Sequence, residues 1–180
     1  MPSFPWKPIA IGGAALAILG RVAVLALSSK KPTPPKRVAL IGDSYAVGLG
    51  PELAKLLPTF RYSGVKGTNS SQWANHSLAC GTCGDWLTAF KPDVVLVSLG
   101  VNDGTSPNLA NLQTIVRSLH GIGAKVVWIE PPAAVKAPAA RTVIASLGVP
   151  TIPAPILPMA NALHPVSYAA WAQKIATSLT

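Results

Sequence analysis

The sequence contains 180 residues, the length of one ordinary domain built around a single hydrophobic core. Hydrophobic residues make up 49% of the chain, charged residues make up 12%, and the formal net charge is +9. Residues 1–37 contain six basic residues and no acidic ones, so the rest of the chain, with nine basic and six acidic residues, carries only +3. So small a basic surplus argues against a nucleic-acid-binding domain, and no nucleic acid partner is expected.

The first feature along the chain is a 19-residue apolar run, Ile9 to Leu27, whose one charged residue is Arg21. About 20 apolar residues are enough to span a bilayer as a helix. Arg21 opposes insertion by about 2.5 to 3.5 kcal/mol, which the surrounding aliphatic residues can offset. We therefore predict a transmembrane segment within residues 1–29, either a signal anchor or a cleaved signal peptide. A hydrophobic helix buried within an assembly is the alternative.

A short proline-rich segment, KKPTPPK, occupies residues 30–36 and is predicted to form an extended linker. Four basic residues lie between positions 30 and 37, after the apolar run, whereas only Lys7 precedes it. By the positive-inside rule this imbalance favours a cytoplasmic location for the domain after the linker. The sequence alone leaves the orientation of the domain across the membrane open.

From Arg37 onwards, apolar segments of strand length alternate with amphipathic segments. The predicted strands are residues 37–42, 93–100, 124–130 and a weaker 149–154, with a further strand before Gly64, and the predicted helices are residues 45–58, 108–123 and 167–179. Because neighbouring parallel strands need a crossover connection, this alternation is typical of a parallel sheet covered by helices on both faces.

Polar residues come directly after three of the predicted strands, at the edge where open parallel sheets bind their ligands. These residues are Gly42, Asp43 and Ser44 after the first strand, Gly100, Asn102 and Asp103 after the second, and Glu130 after the third. His164 lies in the loop before the last predicted helix. Ser44 has two interpretations, a helix N-cap that contributes about 1 kcal/mol or a nucleophile at a helix N-terminus.

Four short motifs, GDSY at Ser44, GVKGTNS at Gly67, GVND at Asn102 and HP at His164, occur in the order seen in SGNH hydrolases, the GDSL-type esterases and lipases. The resemblance covers residues 37–179. It implies a three-layer α/β/α sandwich with a mostly parallel, flavodoxin-like sheet. It also implies that Ser44 is the nucleophile and His164 its general base, and that the N–H groups of Ser44 and Gly67 and the amide of Asn102 form an oxyanion hole. Glycine and asparagine suit that task, because glycine allows close backbone approach and asparagine donates without charge.

One position departs from the family pattern. The family usually has an aspartate three residues before the histidine, and here that residue is Asn161. An amide cannot stabilise an imidazolium as a carboxylate does, and in the serine proteases the matching change lowers turnover by about 10⁴. Three interpretations are open: a Ser-His dyad with Asn161 or a main-chain carbonyl orienting His164, substitution by another acid such as Asp103, or a domain that only binds.

Two cysteines, Cys80 and Cys83, form a C-x-x-C pair after the Gly67 segment. A disulfide that holds this loop is the preferred interpretation, and it would require an oxidising compartment. Two free buried cysteines, or a zinc site completed by His76 and Asp85, are the alternatives.

Together these observations predict three segments: an anchor over residues 1–29, a linker over residues 30–36 and an SGNH hydrolase-like domain over residues 37–180. The predicted protein is a membrane-anchored serine esterase that needs no metal or organic cofactor. Its domain is expected outside the cytoplasm, although the charges that flank the apolar run favour the opposite orientation. Its expected substrate is an acyl ester, an O-acetyl group on an envelope glycan or a lipid ester, and acyl transfer to a sugar is a further option. A non-catalytic envelope or virion protein that keeps the fold for binding is the competing hypothesis.

Overall fold

A computed structural model describes residues 37–75 and 85–180 of the chain. Its strands are β1 (Val38–Gly42), β2 (Phe60–Gly64), β3 (Val94–Ser98), β4 (Lys125–Ile129) and β5 (Thr151–Ile152). Its α-helices are α1 (Ser44–Leu56), α2 (Ser70–Asn75), α3 (Asp85–Phe90), α4 (Leu109–Gly121), α5 (Pro138–Ala145) and α6 (Ala169–Ser178). A 3₁₀ turn, Val101–Asp103, comes after β3.

The five strands form one sheet in the order β2-β1-β3-β4-β5, and every neighbouring pair is parallel. Leu40 in β1 lies between Tyr62 of β2 and Leu96 of β3. This is the flavodoxin-like strand order, in which the chain reverses direction across the sheet at β1 and β3. The predicted parallel sheet is confirmed, and the residues after β1 and β3 lie at the switch point.

Both faces of the sheet are covered, because successive side chains along each strand point to opposite faces. Val38 and Leu40 belong to one buried cluster with residues of α1 and α6. Ala39 and Ile41 belong to a second cluster with residues of α2, α3, α4 and α5. The predicted three-layer α/β/α arrangement is confirmed. Full burial of a valine, leucine or isoleucine side chain stabilises the fold by about 1.5 to 3 kcal/mol.

The long helices agree with their predicted ranges to within two residues, whereas the short helices α2, α3 and α5 were not predicted. Six to eight residues are too few for a clear helical periodicity. In α5 the start is marked by Pro138, whose missing N–H is no loss in the first turn of a helix.

Within residues 37–75 and 85–180, no helix is both long and apolar enough to cross a membrane. The predicted anchor and linker, residues 1–36, lie outside the described residues. His76, Cys80 and Cys83 also lie outside them, so the predicted disulfide and its alternatives stay predictions.

Candidate active site

The turn between β1 and α1 brings the first predicted site residues to the carboxyl edge of the sheet. A Cβ atom on Gly42 would overlap the carbonyl oxygen of Ser98 in β3, so only glycine fits this close approach. The N–H of Asp43 donates to that same oxygen over 3.0 Å. Asp43 is the N-cap of α1, because its Oδ1 accepts the N–H of Tyr45 at 2.9 Å. Ser44 is therefore the first residue of the helix and does not act as its cap.

The carboxyl group of Asp43 is buried beside the candidate nucleophile. Asp43 as a whole is only 1% exposed. Burial raises the pKa of Asp43 to about 7, although hydrogen bonds from the N–H of Tyr45 and from Ser98 act in the opposite direction. Removal of the charged group from water is the larger effect here, so this acid titrates near neutrality.

Asn102 lies in the 3₁₀ turn after β3, and Gly100 precedes that turn in a left-handed conformation with φ of 113°. The Nδ2 of Asn102 donates to the carbonyl oxygen of Thr68 over 2.9 Å. The same nitrogen lies 3.4 Å from Oδ2 of Asp43, at the long limit of a hydrogen bond. The Asn102 amide thus joins the loop after β2 to the turn after β1, two of the places where oxyanion donors were predicted.

Gly67 lies in that loop after β2, with a positive φ of 75° that favours glycine. The loop is held to the sheet edge by a 3.0 Å hydrogen bond from the N–H of Val65 to the carbonyl oxygen of Gly42. Nothing lies within 4 Å of a Cβ atom built on Gly67, so its backbone faces open space. Among the described residues, the N–H groups of Gly67 and Ser44 donate no hydrogen bond.

Asp103, considered as a substitute for the missing aspartate, has a different neighbour. Its Oδ1 accepts the N–H of Ser70, the first residue of α2, over 2.7 Å. Its Oδ2 is buried and has no hydrogen-bond partner among the described residues. The carboxylate therefore satisfies the N-terminus of α2, and within the described part of the chain no hydrogen bond joins it to His164.

The loop that carries His164 is organised by Asn161. Oδ1 of Asn161 accepts the N–H groups of Leu163 at 2.9 Å and His164 at 2.8 Å. The carbonyl oxygen of His164 in turn accepts the N–H of Ala160 at 2.8 Å. The side chain at the family's aspartate position thus closes a turn of the backbone, as Asn and Asp side chains commonly do.

The imidazole of His164 lies against the start of α1. The ring of Tyr45, the residue after Ser44, packs edge to face on the His164 ring with centroids 5.6 Å apart. The Tyr45 hydroxyl donates to the carbonyl oxygen of Leu163 over 2.9 Å. Nδ1 of His164 lies 2.8 Å from the hydroxyl of Tyr168. No hydrogen bond joins Ser44 to His164 in the described part of the chain.

The structure therefore gathers Ser44, Gly67 and Asn102 around one edge of the sheet, with His164 packed beside the first turn of α1. Sequence reasoning missed the tyrosine at Nδ1, because the apolar spacing of the last helix indicates only a packing role for Tyr168. The spacing could have indicated the contact, because Tyr168 comes four residues after His164 and residues four apart can lie side by side where a helix begins.

Comparisons with known proteins agree with this architecture. The sequence matches no protein-family model and no curated protein. Among solved structures, the C-terminal catalytic domain of the peptidoglycan O-acetyltransferase A of Streptococcus pneumoniae, with a methylsulfonyl adduct, is similar over 82% of this chain and 94% of its own, with TM-score 0.56 and 17% identity.

Two further structures are similar. One has the description of a putative platelet activating factor from Streptococcus pneumonia, and it covers 84% of this chain and 87% of its own with TM-score 0.56 and 15% identity. The other is a catalytic serine-to-alanine mutant of Axe2, an acetylxylan esterase from Geobacillus stearothermophilus, which covers 78% of this chain and 91% of its own with TM-score 0.53 and 14% identity. A catalytic mutant of Axe2 with histidine replaced by alanine is also similar, with TM-score 0.54 and 13% identity. At such low identity these likenesses establish the fold.

Proposed function

We propose, from the premise that this chain has the SGNH hydrolase fold, that it acts on acyl esters, with Ser44 as nucleophile and His164 as general base. The substrate class that we propose is an O-acetyl group on a glycan. The chain either hydrolyses this ester or transfers the acetyl group to another sugar hydroxyl.

The observation that carries the proposal is that Asp43, and not Ser44, caps the N-terminus of α1. Asp43 caps the helix, so the Ser44 hydroxyl is not needed for capping and makes no hydrogen bond to another described residue. Ser44 is half-buried at a helix N-terminus, where developing negative charge is favoured. The Asn102 amide lies in the same network through Asp43.

In the first half of the proposed reaction, the Ser44 Oγ attacks the carbonyl carbon of the ester while its proton passes to Nε2 of His164. The carbonyl π electrons move onto oxygen and form a tetrahedral oxyanion. The N–H groups of Ser44 and Gly67 and one N–H of the Asn102 amide stabilise it, the amide giving up its long contact to Asp43. When the oxyanion collapses, the alcohol leaves with the proton from His164 and the acetyl group stays on Ser44.

In the second half, a water molecule or a sugar hydroxyl attacks the acetyl-serine, and His164 accepts its proton. Collapse of the second oxyanion breaks the bond to Oγ, and the proton returns to Ser44. The products are acetate from water or a new acetyl ester from a sugar. No step needs a redox partner or a metal.

The proposed acetylated glycan is supported by two of the structural neighbours. One is described as a peptidoglycan O-acetyltransferase and the other as an acetylxylan esterase, so both act on acetyl groups of polysaccharides. The esterase also has catalytic mutants at a serine and at a histidine, the two residue types proposed here. The open surroundings of Gly67 give a bulky glycan room to approach the edge of the sheet.

Covalent labelling with a fluorophosphonate tests the nucleophile. We expect the full chain to label, and Ser44→Ala and His164→Ala to abolish labelling, because only an activated serine reacts quickly with this reagent. Ser178→Ala and His120→Ala are matched controls, since both residues are exposed and lie in the last turns of α6 and α4, outside the four motifs.

A folded wild-type chain that stays unlabelled would contradict the proposal. It would favour the competing hypothesis of a non-catalytic binding module, which the amide at position 161 already suggests. Binding of acetylated and deacetylated glycan fragments would then be the measurement to make.

A further inference from the structure

We propose that Tyr168 is the positioning residue of His164. It orients the imidazole, as the aspartate that the family usually has three residues before the histidine would do. This inference rests on the proposed function, because it assigns a partner to the general base of that reaction. It adds to the interpretations of the Asn161 position one that is based on a hydrogen bond in the structure.

The contact itself is short and made by a well-held side chain. The Tyr168 hydroxyl lies 2.8 Å from Nδ1 of His164, the ring nitrogen that a triad carboxylate would contact. The Tyr168 ring stacks on Trp171 with centroids 6.1 Å apart and planes only 10° from parallel. Trp171 is completely buried. A hydroxyl on a ring fixed in this way stays in place beside the imidazole.

Helix α1 leaves space for this ring. A Cβ atom on Gly48 would overlap the Tyr168 ring, so any larger residue at position 48 would displace it. A glycine inside a helix costs about 0.5 to 1 kcal/mol relative to alanine. Gly48 lies in the interior of α1, four residues after Ser44. The same helix thus carries the proposed nucleophile and the recess for the residue that holds the proposed base.

The three other polar side chains considered as partners of the His164 ring make their hydrogen bonds elsewhere. Oδ1 of Asn161 accepts backbone N–H groups, and Oδ1 of Asp103 accepts the N–H of Ser70. The Tyr45 hydroxyl donates to a carbonyl oxygen, although its ring touches the imidazole. Among the described residues, Tyr168 alone makes a hydrogen bond to the His164 ring.

The chemistry of a phenol explains what this contact does. For Nε2 of His164 to accept a proton from Ser44, Nδ1 must carry the other proton and donate it to the Tyr168 oxygen. Burial, with a smaller contribution from Asp43, raises the pKa of Tyr168 to about 12, so the hydroxyl stays neutral. A neutral hydroxyl orients the ring, but it can also donate to Nδ1 and favour the unproductive tautomer. A carboxylate can only accept.

The test compares two tyrosine substitutions in the full chain, with a chromogenic acetyl ester as substrate. Tyr168→Phe keeps the ring that packs on Trp171 and removes only the hydroxyl. We expect kcat to fall about 10- to 100-fold with KM unchanged, the usual effect of losing a hydrogen bond to a group that becomes charged. Tyr62→Phe is the matched control, because Tyr62 is 43% exposed on the edge strand β2.

A second measurement separates positioning from packing. The ¹⁵N chemical shifts of the imidazole nitrogens report which nitrogen is protonated, and the chain has only three histidines, so His164→Ala assigns the signals. We expect Tyr168→Phe to change the tautomer balance of His164 and leave the other two histidines unchanged.

Wild-type kcat in Tyr168→Phe, or a lower kcat with unchanged His164 signals, would overturn the inference while the proposed function stood. If the wild-type chain itself has no activity, the proposed function fails. The imidazole signals then still decide whether the Tyr168 hydroxyl controls Nδ1.

Discussion

At the scale of single residues, Asp43 connects the site to the stability of the whole fold. Burial raises its pKa from the ordinary 3.8 to about 7. Between these values the folded state holds a proton that the unfolded chain has released. The contribution of Asp43 to the free energy of unfolding is therefore largest below pH 3.8, falls as the pH rises towards 7, and is constant above it. A shift of this size corresponds to about 4 kcal/mol.

Urea unfolding between pH 4 and pH 8 measures this effect. We expect Asp43→Asn to flatten the decline of stability over that range, because the amide keeps an oxygen for the N–H of Tyr45 and has no charge to bury. Glu52→Gln controls for the loss of one negative charge, since Glu52 is a partly exposed acid of α1 that pairs with Lys55. An equal slope in wild type and Asp43→Asn would show that another group is responsible.

Several site residues could be predicted from their positions after strands. Ser44 and Asn102 come after β1 and β3, whose carboxyl ends adjoin in the sheet, so strand order alone places them together. The partner of His164 could not be predicted in this way. It depends on how α6 packs against α1, and that packing cannot be predicted from the sequence of either helix alone.

At the scale of secondary-structure elements, the packing of α1 against α6 controls the candidate site. Gly48 is one point of contact, because a side chain there would overlap the ring of Tyr168, the N-cap of α6. We expect Gly48→Ala to destabilise the fold by about 1 to 3 kcal/mol, as overpacking usually does, and to lower activity by displacing the ring. Unfolding and esterase assays on the same samples measure both effects.

Gly121 provides the matched control for that substitution. It is the last residue of α4, and nothing lies within 4 Å of a Cβ atom built on it. We expect Gly121→Ala to change stability by no more than about 0.5 kcal/mol, the usual range for an open surface position. Equal effects of the two substitutions would mean that space for the Tyr168 ring is not what Gly48 provides.

The strands with the clearest hydrophobic pattern were the ones predicted most clearly from the sequence. β1 and β3 are buried along their whole length and were found as continuous apolar runs. β2 is an edge strand with a partly exposed FRYSG sequence, so it was inferred mainly from the glycines at its end. In β5 only two residues pair, which explains its weak signal.

At the scale of the whole molecule, the reaction proposed for the domain and the membrane attachment of the N-terminal segment are independent of each other. The domain supplies the proposed chemistry, and its glycan substrate class does not depend on an anchor. We propose that residues 9–27 nevertheless attach the chain to a membrane. The support is the length and composition of the run, in which only Arg21 is charged.

Alkaline carbonate extraction of membranes tests this attachment. We expect the full chain to remain in the membrane pellet and Ile18→Arg to shift it towards the supernatant, because a second charge near the centre of the run adds about 2.5 to 3.5 kcal/mol to the cost of insertion. Arg21→Leu should strengthen retention for the same reason. Ile156→Arg is the matched control, because it makes the same change at a residue of the domain that is 98% exposed. If Ile18→Arg and Ile156→Arg behave alike, the run is not a membrane anchor, and burial of residues 9–27 against another protein becomes the better explanation.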